Sequence, residues 1–142
     1  MKDTQELLKE CNAGIKMGVS SIEEVLDNVK SDKLKEILSS SKEEHQRLGS
    51  ETRKLLIELG LEGKEPNPMA KGMSWLKTNL MLSMDESDAC IADLITDGCI
   101  MGVKSLNKYL NQYKASDERA KDIAKKLINM EADLAVKLRE YL

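Results

Sequence analysis

From Leu7 onward, apolar and small residues recur every three or four positions. Leu7, Cys11, Gly14, Gly18, Ile22, Val25 and Val29 make one stripe, widened by Leu8, Ile15 and Met17. That period predicts an α-helix with one buried face. Asp3 or Thr4 stands where a cap belongs, and Glu6 lies in the first turn, near the positive end of the helix dipole. Lys30, Ser31 and Asp32 then form a short turn, with Ser31 or Asp32 as the next cap. The second stripe reads Leu34, Ile37 or Leu38, Ser41, His45, Leu48, Thr52, Leu55 and Leu59, and its middle is polar. So short a turn makes the two helices antiparallel neighbours. Gly60 is placed to end the second helix, and Gly63, Pro66 and Pro68 prevent its continuation.

Residues 69–84 predict a separate helical piece. Met69, Met73, Leu76, Leu80 and Met84 form its stripe, while Trp75, Met81 and Leu82 put apolar surface outside it. A segment apolar on two sides usually touches two things, and here those are its own bundle and a second subunit. A third helix is expected from about Asp88, with Ile91, Leu94 or Ile95, Gly98, Gly102, Ser105 or Leu106 and Tyr109 inward. Ser116 or Asp117 caps the fourth, whose inward series is Ala120, Ile123 or Ala124, Leu127, Glu131, Leu134, Leu138 and Tyr141.

The first and third helices share a sequence. Residues 14–22 and 98–106, 84 positions apart, both fit Gly-x-x-Met-Gly-Val-x-Ser-(Ile/Leu). The second and fourth align through Lys35-Glu36-Ile37 and Lys121-Asp122-Ile123 at an offset of 86, which sets His45 opposite Glu131. The chain thus reads as a duplicated helical hairpin: hairpin one at 3–60, a crossover at 61–86 and hairpin two at 87–142, in a single domain. Each inward glycine costs about 1 kcal/mol of helix propensity against Ala, and close backbone approach is the gain expected in return.

Composition agrees with an all-α fold. Pro occurs twice, Phe is absent, and there is one Trp with three Tyr, while eight Met serve as flexible core filler. The 22 basic and 25 acidic residues are interspersed for a net charge of −3, so no face is basic enough to bind nucleic acid. Three cysteines, Cys11, Cys90 and Cys99, form no Cys-x-x-Cys pair and suit a reducing compartment. No signal core or membrane-length apolar run is present. A cytoplasmic protein is expected.

A link of some 26 residues is far longer than the usual two to eight between neighbouring bundle helices. It is long enough to cross a bundle of about 40 Å and so to make helices two and three parallel. With its Met-Gly-Val repeats, the Trp75-containing linker and the closing Lys137-Leu138-x-x-Tyr141-Leu142, the whole chain resembles small bacterial ferritin-like proteins of the rubrerythrin/ferritin-like superfamily. The resemblance implies a ferritin-like four-helix bundle built from the two hairpins, but not its full di-iron motif.

A di-iron site in such a bundle takes a Glu from each of two helices and a Glu-x-x-His from each of the others. Here Lys42 stands three residues before His45, Leu134 stands three after Glu131, and the mid-helix positions of the first and third helices are glycines. One polar pairing survives, His45 with Glu131. It can be a hydrogen-bonded core pair assisted by Ser41, Thr52 or Ser105 that fixes register, a reduced metal site, or a surface histidine. The metal site would use His45, Glu131 and Glu44, with Asp97 or Cys99 in support. No nucleophile arrangement or phosphate loop is present.

The expected function is a non-catalytic interaction or structural module without a cofactor, homodimeric through segment 69–84 including Trp75. The alternative is a metal-binding or oxidoreductive protein holding iron or another transition metal around His45 and Glu131. A third reading is a small-molecule site in the space left beside Gly14, Gly18, Gly98 and Gly102.

Overall fold

The computed structural model describes residues 1–61 and 87–142. The helical piece expected at 69–84, with Trp75, lies outside the described residues. Four α-helices account for nearly all of the rest: α1 (Lys2–Leu26), α2 (Asp32–Glu58), α3 (Asp88–Gln112) and α4 (Glu118–Lys137), followed by a 3-10 turn over Arg139–Tyr141. No strand occurs among the described residues.

Local chemistry sets the helix ends. Ser31 caps α2 by accepting the Leu34 N–H at 3.2 Å, and Ser87 caps α3 by accepting that of Cys90 at 3.2 Å. Asp117 caps α4 through the Arg119 N–H at 2.8 Å. At the end of α2, Gly60 takes a left-handed φ of 70°. Its N–H bonds the Ile57 carbonyl while that of Leu61 bonds the Leu56 carbonyl, a Schellman arrangement sealed by burial of Leu61. The start of α1 departs from expectation. The helix already begins at Lys2, so neither Asp3 nor Thr4 caps it. Both reach the other hairpin instead: Asp3 accepts the Ala115 N–H at 3.0 Å, and buried Thr4 accepts that of Asp117 at 2.8 Å.

A matching brace closes the opposite end. The Asp88 carboxylate accepts the N–H groups of Lys30 and Ser31 at 2.8 and 2.9 Å. Thr4 and Asp88 are 84 residues apart, and Ser31 and Asp117 are 86 apart, the two offsets of the sequence repeat. The braces also fix direction. The start of α3 sits beside the start of α2, and the start of α1 sits beside the turn between α3 and α4. Helices α2 and α3 therefore run parallel, and Leu61 and Ser87 lie a bundle length apart. Over the 27 residues of α2 that length is about 40 Å.

Each hairpin packs internally, α1 on α2 and α3 on α4. The hairpins meet through α2 on α4 and α1 on α3, with α1 also touching α4 across the diagonal. The apolar core falls into two clusters. One gathers Leu7, Leu8, Cys11, Ile15, Leu48, Leu55, Leu106 and Leu127, and the other Ile22, Val25, Leu34, Leu38, Ile91, Ile95, Cys99 and Leu134. Between them, halfway along the bundle, lie His45 and Glu131, both buried. Two expected inward positions face out instead. Met17 is 45% exposed, because two residues of helix turn it about 200° from Ile15. Gly98 is exposed because Ile91, Ile95, Cys99 and Leu106 hold the inner line of α3.

Candidate functional site

The polar layer draws on all four helices. Helix α2 supplies His45, only 1% exposed, with its ring held by its own helix one turn earlier. Nδ1 lies 2.7 Å from the Ser41 carbonyl oxygen, which can only accept, so Nδ1 carries a hydrogen and donates it. The Ser41 hydroxyl is more distant, at 3.5 Å. Nε2 faces Glu131 Oε1 on α4 at 3.4 Å, joining the second helices of the two hairpins.

Helix α1 contributes an absence. A Cβ at Gly18 would come within 2.7 Å of His45 Cδ2 and 2.8 Å of Nε2, so the imidazole occupies the place a side chain would take. On α3, Gly102 sits under the Glu131 carboxyl, where a Cβ would be 3.5 Å from Cδ. Each hairpin thus seats its polar core residue on the second glycine of its own repeat. Cys99 of α3 completes the layer: besides burial, the Glu131 carboxylate is close enough to raise its thiol pKa.

Two of these groups titrate away from their ordinary values. Burial alone would push the His45 pKa down, but the Glu131 carboxylate, the Ser41 carbonyl and the charge of Glu44 more than offset it, and the pKa is raised. Burial, then the charge and hydrogen bond of Glu131, push the Cys99 thiol up. Away from the layer, Cys11 is pushed up to about 12 by burial and by Glu10. Neither Cys11 nor Cys99 is in a disulfide, and these two buried thiols are poor nucleophiles.

The other residues named from the sequence do not converge on the pair. Glu44 is half-buried and lines a small depression between α2 and α4 with Ser41, Asp133 and Lys137. Asp97 is exposed, Thr52 is buried but donates to the Leu48 carbonyl, and Ser105 is half-buried. Among the described residues, no group of three or more His, Cys, Asp or Glu could hold a metal ion. The ligand set of a di-iron centre does not fit here. His45 spends Nδ1 on Ser41 and turns Nε2 to Glu131, and α1 and α3 bring glycine.

The glycine pairs, expected to mark close backbone approach, instead face side chains at three of the four glycines. Gly14 meets Leu127 Cδ2 at 3.4 Å, Gly18 meets His45 and Gly102 meets Glu131. The room beside them is filled rather than left for a small molecule, and only Gly98 has nothing near it. The signal was available in the repeat, which gives Gly18 and Gly102 matching positions opposite a large polar residue.

Among the described residues, no helix is long and apolar enough to cross a membrane. No family model matches the sequence. No curated protein matches it either. Among solved structures, the chain is similar to the dodecameric thioferritin, a bacterioferritin-related protein, from Bacteroides fragilis, with a TM-score of 0.71 and 15% sequence identity. The match covers 99% of this chain and 84% of that one. The fold is ferritin-like.

Proposed function

We propose that this ferritin-like bundle is a non-catalytic interaction or structural module whose centre is a hydrogen-bonded core pair rather than a metal site. One observation carries the reading: both ring nitrogens of His45 are engaged inside the protein, Nδ1 by Ser41 and Nε2 by Glu131, with the ring against Gly18. A transition metal needs three or four donors with an open approach to them. The experiment is elemental analysis of protein purified without chelator or nickel affinity. The expected result is iron, manganese and zinc far below one per chain, unchanged in His45→Ala. Near-integral metal that disappears in His45→Ala overturns the proposal and makes the protein a metal-binding or oxidoreductive one around His45 and Glu131.

The module is homodimeric through segment 69–84, a proposal supported by the apolar residues on two sides of that stretch and by the dodecameric assembly of the Bacteroides fragilis protein. Cys11 and Cys99, buried and outside any disulfide, support residence in a reducing cytoplasm.

A further inference from the structure

We infer that the centre of the bundle is a proton-operated lock: His45 and Glu131 together hold one proton that joins the two hairpins, and the join is lost when that proton leaves. The inference rests on the metal-free reading above and follows from counting donors. The Ser41 carbonyl, 2.7 Å from Nδ1, can only accept. An ionised Glu131, 3.4 Å from Nε2, can also only accept. A neutral imidazole has one N–H, so either tautomer leaves one of the two contacts with lone pairs opposed. One further proton, on Nε2, turns both contacts into hydrogen bonds, and the Glu131 carboxylate that faces this nitrogen favours the proton there.

Among the described residues, the surroundings offer no other donor for that position. From α1 the ring meets the bare backbone of Gly18. From α3 come Gly102 and Cys99, a thiol that burial and the Glu131 carboxylate keep protonated. On α2, Glu44 adds negative charge. On α4, beyond Glu131, Asp133 and Lys137 are paired with each other at 3.0 Å. Against burial, which disfavours charge on the ring, stand the Glu131 and Glu44 carboxylates and the Ser41 carbonyl, all of which favour its charged form.

The sign follows from linkage. The folded-state pKa of His45 is raised, so its contribution to stability is fully present below the ordinary histidine value and is lost as pH rises through the folded value.

His45 is the chain's only histidine, so nitrogen-15 NMR of its ring in chelator-treated protein reads the site without assignment. The expected result at about pH 7 is protonation of both ring nitrogens, with a single titration step above the ordinary histidine value. In Glu131→Gln the amide can donate to a neutral Nε2, so the step moves below that value and the thermal midpoint stops falling between neutral and mildly alkaline pH. A ring that is neutral at about pH 7 in the unmodified protein overturns the lock. So does a Glu131→Gln protein whose titration and stability curves overlay those of the parent. Should Glu131→Gln fail to fold, the titration of the parent protein decides alone. Metal that persists through chelation, read by elemental analysis, fails the metal-free reading and the lock with it, whereas a neutral ring in metal-free protein fails the lock alone.

Discussion

Gly18 and Gly102 occupy the same position in the two repeats, yet alanine has opposite consequences at each. At Gly18 a Cβ would lie 2.7 Å from the imidazole, which is buried and tied to both Ser41 and Glu131 and has nowhere to retreat. Overpacking of this kind costs about 1–3 kcal/mol, against at most about 1 kcal/mol of helix propensity regained. Gly18→Ala therefore lowers the urea midpoint. At Gly102 the new Cβ meets the Glu131 carboxyl at 3.5 Å, an ordinary contact, and at Gly98 it meets nothing. Gly102→Ala is neutral to stabilising, and Gly98→Ala stabilises by about 1 kcal/mol. A Gly18→Ala protein as stable as Gly98→Ala in the same titration would contradict the seating of the ring.

Among the elements, the second helix of each hairpin was legible and the first was less so. Leu34, Leu38, Ser41, His45, Leu48, Thr52 and Leu55 on α2, and Ala120, Ile123, Leu127, Glu131 and Leu134 on α4, are all buried as their spacing required. Large side chains on one line leave little ambiguity. On α1 and α3 the repeat mixes glycine, Met and Val around the circumference, so periodicity alone could not keep Met17 and Gly98 off the inner line. The pairing of His45 with Glu131 came from aligning the repeats, but the part played by Ser41, Gly18 and Cys99 depends on side-chain directions that no spacing encodes. The end braces were also out of reach, since Thr4 looked like a cap and bonds a residue 113 positions away. They are testable as a pair. Thr4→Val leaves the Asp117 N–H without its acceptor, and Asp88→Ala frees two N–H groups at the other end. Each change should cost about 1–2 kcal/mol, additively by thermal denaturation because the sites are a bundle length apart.

For the whole molecule, the ferritin-like layout followed from the length of the link, because a connection that can span the bundle permits parallel α2 and α3. The surface adds little stability: Lys33 with Glu140, Arg119 with Glu58 and Lys126 with Glu51 are exposed ion pairs. Assembly is where the sequence leaves most to measure. Trp75 is the only tryptophan. If segment 69–84 makes the dimer contact, dilution that halves the mass in light scattering shifts Trp75 emission to the red over the same concentration range. A mass change with no shift in emission moves the contact elsewhere.

The braces have a mechanical consequence. Asp3 is tied to the turn between α3 and α4, while Glu140 is tied to Lys33 at the start of α2, so residues 1 and 142 lie at opposite ends of the bundle. A pull applied between them runs along the helix axes. Helix α1 is drawn one way and α4 the other across the seam they share, so the load falls in shear on the whole interface at once and does not peel one helix away turn by turn.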